Sequence, residues 1–146
     1  MFRKILLPVD GSQGSLKAAR VAGEIARRFD SEVTILHVQH LPATVLAASG
    51  MAGMVAPDRG TAEALEAAAR EVLRVARESL GLPEDRLNEK ALLGHPAEVI
   101  CRVAEEGDYN LIVMGSRGLS EVRAFFLGSV SDKVSHHAPC PVLIVR

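Results

Sequence analysis

The sequence predicts an α/β protein in which a parallel β-sheet is covered by helices on both faces. Short apolar runs bounded by breaking residues predict strands buried on both faces, over residues 5–9, 33–38, 111–114 and 142–145. A weaker run over residues 87–93 carries Asn88, Glu89 and Lys90, which places it at a sheet edge. Helical patterns lie between these runs, and this alternation indicates right-handed crossovers and a doubly wound sheet.

The first two predicted helices are separated by an unusual loop. Apolar residues recur at helical spacing over residues 16–29, with Ser12 or Ser15 as the cap, and again over residues 65–76. Between them, residues 41–60 are rich in Ala, Gly and Met. Because long loops in compact domains are usually functional or disordered, the segment is interpreted either as a flap beside a binding crevice or as a plain linker.

Two shorter helices are expected in the second half of the chain. One begins at Pro96, a residue favoured in the first helical turn, and stops at Gly107. The other follows Gly128, with Ser129 in the capping position.

The bulk composition indicates one globular domain over residues 1–146. Apolar residues make up 48% and charged residues 24%, and the net charge of −1 gives no basic excess for binding nucleic acid. Cys101 and Cys140 lack a C-x-x-C spacing and are expected to be buried thiols in a reducing compartment. No signal-peptide core or membrane-spanning run is recognisable, so we expect a cytoplasmic protein without a membrane partner.

The residues after the fourth strand carry the most informative motif. Residues 115–118 read Gly-Ser-Arg-Gly, and nine residues later Gly128 and Ser129 follow. Glycines let the main chain approach a ligand, and N–H groups at a helix start favour phosphate oxygens. Ser129 and Ser131 add hydroxyl donors and Arg117 adds a positive charge. The alternative is that the glycines only form a tight turn and begin a helix.

Asp10 stands at the end of the first strand, where ligands of open α/β sheets bind. A carboxylate beside a triphosphate would be repelled, so Asp10 is expected to bond a ribose hydroxyl or to act, through water, on Mg²⁺ or Mn²⁺. Its alternative role is to cap the following turn. Val38 and Met114, at the ends of two other strands, would line an apolar slot for a base.

Other signatures of chemistry are missing from the sequence. No Gly-Lys pair forms a P-loop, and no glycines at i and i+2 begin a dinucleotide fingerprint. The five histidines show no metal-ligand spacing, and no G-x-S-x-G elbow marks a nucleophile. We therefore expect no catalytic residues and no enzyme, beyond slow hydrolysis of a bound nucleotide at most.

Three segments resemble the universal stress protein (UspA) family, and in particular its ATP-binding subgroup. They are residues 5–12 (ILLPVDGS), the Gly-x2-Gly-x9-Gly-Ser loop over residues 115–129, and residues 138–145 (APCPVLIV). The resemblance covers the whole chain in a consistent order. The loop is the family's most specific motif and distinguishes members that bind ATP.

The resemblance implies a five-stranded parallel sheet in the order 3-2-1-4-5, a Rossmann-like fold of the adenine nucleotide alpha hydrolase type. It also implies a homodimer joined through residues 142–145. The nucleotide-binding residues that follow from the matched positions and the motif are Pro8, Val9, Asp10, Val38, Met114, Gly115, Arg117, Gly118, Gly128, Ser129, Val130 and Ser131.

The first functional hypothesis is therefore a dimeric, ATP-responsive regulatory module whose nucleotide-bound state is recognised by an unknown protein partner under stress. The second is a slow ATP-hydrolysing or adenylyl-transferring enzyme of a related fold. The third is an interaction protein of the same fold that binds no nucleotide.

Overall fold

The computed structural model describes residues 1–40, 58–118 and 127–146. Its five strands are all parallel and form one sheet in the order β3-β2-β1-β4-β5, which confirms the implied order. The strands are β1 (Lys4–Pro8), β2 (Glu32–Gln39), β3 (Leu87–Leu93), β4 (Leu111–Gly115) and β5 (Val142–Val145). β3 lies at a sheet edge, as its polar residues predict.

Helices connect the strands. They are α1 (Gln13–Phe29), α2 (Arg59–Leu80), α3 (Pro96–Glu106) and α4 (Ser129–His137), with a short 3₁₀ turn at Glu84–Arg86. Ser12 caps α1, because its hydroxyl oxygen accepts from Ser15 N at 3.2 Å. Pro96 and Gly107 bound α3 as predicted.

Two predicted boundaries are wrong. Ser129 is not the cap of α4 but its first residue, and Gly128, with extended φ and ψ, is the N-cap. The predicted loop over residues 41–60 runs too far, because Asp58 caps α2 and the helix already begins at Arg59. Residues 41–57 lie outside the described residues.

Two apolar layers enclose the sheet. Ile5, Leu7 and Ile35 point to the face covered by α1 and α2, where alanines of α1 allow close approach. Leu6 and Leu36 point to the opposite face, covered by α3 and α4. Because successive strand residues point to opposite faces and both faces are covered, the buried stretches of β1 and β4 are apolar at every position, which explains their continuous runs in the sequence.

Cys101 and Cys140 are half-buried rather than fully buried, and both pack against the layer beneath α3 and α4. Burial raises the pKa of each thiol above its ordinary value. Within residues 1–40, 58–118 and 127–146, no helix is long and apolar enough to cross a membrane.

Candidate functional site

A cavity of about 460 Å³ opens at the carboxyl ends of β1, β2 and β4. All twelve residues expected at a nucleotide site line it: Pro8, Val9, Asp10, Val38, Met114, Gly115, Arg117, Gly118, Gly128, Ser129, Val130 and Ser131. They come from three strand ends and the start of α4, as the position of ligand sites in open α/β sheets predicts.

Further lining residues were missed by the sequence argument. They are Ser15, Leu36, His37, Gln39, His40, Leu65, Pro96 and Ile100. The β2 residues among them flank Val38, so the end of that strand was a usable signal. Leu65, Pro96 and Ile100 lie on helices α2 and α3. Only the packing of those helices against the sheet brings them to the cavity.

The Asp10 carboxylate joins two parts of the site. Its Oδ1 accepts from Ser12 N at 3.0 Å, so Asp10 does cap the turn that leads into α1. Its Oδ2 lies so near Gly118 that a Cβ built on this glycine would stand 2.7 Å from it. The Asp10 carboxylate therefore lies against Gly118 in the cavity lining. A side chain at position 118 would displace it, whereas glycine allows the contact.

Gly115 has a different structural role from Gly118. A Cβ on Gly115 would stand 2.7 Å from the carbonyl carbon of Gly14 and 3.0 Å from Ser15 N. These are main-chain atoms at the start of α1. Gly115 thus allows the end of β4 to pack directly against the first turn of α1. This contact positions Gly115 and Ser15, which both line the cavity.

The start of α4 is tied to the end of β4 through Ser116. Its carbonyl oxygen accepts from Gly128 N at 2.7 Å and from Ser131 Oγ, also at 2.7 Å. Ser131 is only 2% exposed, and its hydroxyl also lies 3.0 Å from Gly128 O. In this conformation the Gly128 amide and the Ser131 hydroxyl are both engaged within the protein, so their role at a phosphate stays a prediction.

What this network presents to the cavity is the N-terminus of α4. The first-turn N–H groups of a helix have no partner inside the helix, and they form the positive end of its dipole. Ser129 and Val130 line the cavity at this terminus, with Arg117 in the same lining. An anion is thus favoured at this end of the cavity.

The end of β2 presents main-chain groups to the same cavity. Leu36 O accepts from Val9 N at 2.9 Å on the β1 side, whereas Gln39 O accepts from the chain that follows β3. Main-chain groups of successive strand residues point to opposite neighbours, so those of Val38 point to the β1 side. Since β1 has already ended, the N–H and C=O of Val38 face the space beyond it.

The histidines form no metal centre with other side chains of the described ranges. No group of three or more His, Cys, Asp or Glu side chains there is arranged to hold an ion. His136 and His137 place Nδ1 at 2.8 Å from carbonyl oxygens one turn earlier in α4. Both contacts lie within the last turns of α4.

The fold and the cavity together define an α/β protein with a ligand site at the carboxyl edge of a parallel sheet. The model of the universal stress protein family matches residues 1–146. Universal stress protein YxiE of Bacillus subtilis is 36% identical over 154 aligned residues, covering 100% of both chains. A universal stress protein of Thermus aquaticus is 37% identical over 146 residues, again covering 100% of both. The chain belongs to the universal stress protein family.

Solved structures agree with this assignment. UspA from Lactobacillus plantarum superposes with a TM-score of 0.71 at 28% identity, covering 99% of this chain and 98% of that one. A universal stress protein in complex with cAMP gives 0.67 at 25% identity, over 99% and 97%. The Archaeoglobus fulgidus protein in complex with dAMP gives 0.66 at 25% identity, over 100% of both chains. Two of these related proteins thus bind adenine nucleotides.

Proposed function

We propose that this protein is an ATP-binding regulatory module rather than an enzyme. The observation that carries the proposal is a single cavity that joins an anion-favouring helix N-terminus to an apolar slot. Its polar end contains Arg117 and the start of α4, and its apolar end contains Val38, Met114 and Ile100. A nucleotide has the same two-part chemistry, with charged phosphates at one end and a flat apolar base at the other.

The base end supports an adenine in particular. Val38 directs a main-chain donor and a main-chain acceptor toward the cavity, and adenine offers ring-nitrogen acceptors beside an amino donor. Met114 is 5% exposed and supplies polarizable surface for the ring. The ligands of the two related complexes, cAMP and dAMP, both contain adenine.

The phosphate end depends on α4. Phosphate oxygens would accept from the first-turn N–H groups near Ser129 and Val130, with Arg117 adding charge. Asp10 would act on a ribose hydroxyl or on Mg²⁺ or Mn²⁺ carried with the triphosphate, since a carboxylate is a suitable ligand for either ion.

We also propose a homodimer joined through β5. This strand closes the sheet on the side opposite β3, and Leu143 at its centre is 38% exposed. An apolar strand at a sheet edge is a template for pairing with another strand. ATP would then bias the surface that the dimer offers to a regulatory protein partner.

Binding of ATP is the first test. We expect the wild-type protein to bind Mg-ATP in calorimetry and to unfold at a higher temperature when it is present. Ligand at 100 times its dissociation constant stabilises the native state by about 2.7 kcal/mol. For a chain of this size that raises Tm by roughly 5–10 °C. Absence of both effects at millimolar ATP, ADP, AMP and cAMP would contradict the proposal.

Asp10→Asn separates the two roles of the carboxylate. An asparagine oxygen can still accept from Ser12 N, so the turn and the Tm of the ligand-free protein should be preserved. The negative charge is lost, and we expect Mg-ATP affinity to fall about tenfold, since a charged hydrogen bond contributes roughly 1.5–3 kcal/mol. Asp108→Asn, an exposed change of equal charge at the end of α3, is the control. Equal affinities of both variants would remove Asp10 from the site.

A further inference from the structure

His37 occupies an unusual position for a polar strand residue. It lies two residues after Ile35, which is fully buried on the face covered by α1 and α2. His37 itself is half-buried and lines the cavity, because it stands near the carboxyl end of β2. Its Nδ1 lies 2.8 Å from Val9 O, immediately before Asp10.

This contact fixes which ring nitrogen carries the hydrogen. A carbonyl oxygen can only accept, so Nδ1 must be the donor. In a neutral imidazole the other nitrogen, Nε2, is then an acceptor without a hydrogen. The main chain at the end of β1 therefore holds the ring in one tautomer and one orientation.

Nε2 has no partner among the residues that the structure describes. Within residues 1–40, 58–118 and 127–146, the one hydrogen bond of the His37 ring is the Nδ1 contact with Val9. Nε2 is therefore accessible to solvent, because Ser31 Oγ is the sole side-chain N or O atom in the described ranges that is both buried and unpaired. Because His37 lines the cavity and Nε2 is not among the buried unpaired atoms, a ligand in the cavity can reach this acceptor.

We propose that His37 Nε2 is a specificity-determining acceptor that binds a hydrogen-bond donor on the nucleoside. An acceptor in the cavity needs an N–H or O–H partner, and a nucleoside offers both: the amino group of the base and the hydroxyls of the ribose. This inference rests on the proposed binding of ATP. Its added content is that the site discriminates against a nucleotide that lacks the donor, because Nε2 would then be desolvated without a partner.

The experiment compares ligands and variants together. Wild-type protein and His37→Asn are titrated with ATP, with ITP, which lacks the amino group, and with 2′-deoxy-ATP and 3′-deoxy-ATP. Asparagine places its Nδ2 near the position of Nδ1, so it can keep the bond to Val9 O while removing the Nε2 acceptor. We expect one analogue to bind the wild type about tenfold more weakly than ATP, as loss of one paired group predicts.

In His37→Asn the preference for ATP over that analogue should be about tenfold smaller than in the wild type, because only the contributions of Val38 and Asp10 remain. The analogue that shows this change identifies whether base or sugar supplies the donor. His37→Gln, whose Oε1 lies near the position of Nε2, should restore part of the discrimination. Equal losses in wild type and His37→Asn for every analogue would overturn the inference while leaving ATP binding intact. Failure of the wild type to bind any nucleotide would instead overturn the proposed function. If His37→Asn does not fold, His37→Phe carries the same comparison.

Discussion

Gly118→Val is expected to abolish binding of ATP while the protein stays folded. The Cβ alone would stand 2.7 Å from Asp10 Oδ2, and Oδ1 of the same carboxylate is anchored to Ser12 N. The carboxylate must therefore turn away, and the two methyl groups of valine would occupy the cavity beside Arg117. The nucleotide would then lose its charge-assisted hydrogen bonds to Asp10 and to Arg117. At roughly 1.5–3 kcal/mol each, this loss lowers the affinity on the order of 100-fold or more.

Thermal stability separates this effect from misfolding. Gly118 lines an open cavity and has no left-handed φ, so a side chain adds little backbone strain. We expect the Tm of the ligand-free variant to stay within roughly 4 °C of the wild type, equivalent to about 1 kcal/mol. Ser135→Val adds the same side chain at an exposed position of α4 and should bind ATP normally. If Gly118→Val binds ATP with wild-type affinity, the nucleotide does not lie against Gly118.

Gly115→Ala is expected to act in the opposite way, on stability first. The new methyl group would meet main-chain atoms of Gly14 at 2.7 and 2.9 Å, and main-chain atoms cannot rotate aside. α1 must shift from the end of β4, and overpacking of this kind costs roughly 1–3 kcal/mol. We expect Tm to fall by roughly 2–12 °C in the absence of ligand, measured by circular dichroism.

Gly14→Ala is the matched control, because it adds a methyl group on the other side of the same contact. Its Cβ would stand 3.1 Å from Arg117 O, a milder approach, and in the first turn of α1 alanine gains less than the roughly 1 kcal/mol it gains over glycine inside a helix. A net change within about 1 kcal/mol is therefore expected. Should Gly115→Ala prove as stable as Gly14→Ala, the contact between β4 and α1 is not the reason for a glycine at position 115.

The strands were predictable because the pattern of each is local. Residues 5–9 and 111–114 are continuous apolar runs, and both lie in the doubly covered centre of the sheet. Asn88, Glu89 and Lys90 predicted the edge position of β3 because only an edge strand keeps such side chains in water. The order of the strands came from family resemblance, since no local pattern specifies which strands are neighbours.

The wrong cap of α4 has a physical origin. Ser129 has the side chain of a helix cap, but the chain path set by the bond from Gly128 N to Ser116 O makes Gly128 the cap. The hydroxyl of Ser131 donates to the same Ser116 carbonyl. Here a tertiary contact across the loop outweighs a local preference.

By itself the sequence determined the class of fold, the family and twelve of the residues that line the cavity at the carboxyl edge of the sheet, because apolar runs and glycine spacing are properties of the chain. The tertiary structure decided what these residues contact. It packs Gly115 against the first turn of α1, brings Gly118 beside the Asp10 carboxylate, and orients His37 through Val9 O. These contacts depend on distances between segments far apart in sequence, which only the packed sheet and helices bring within contact.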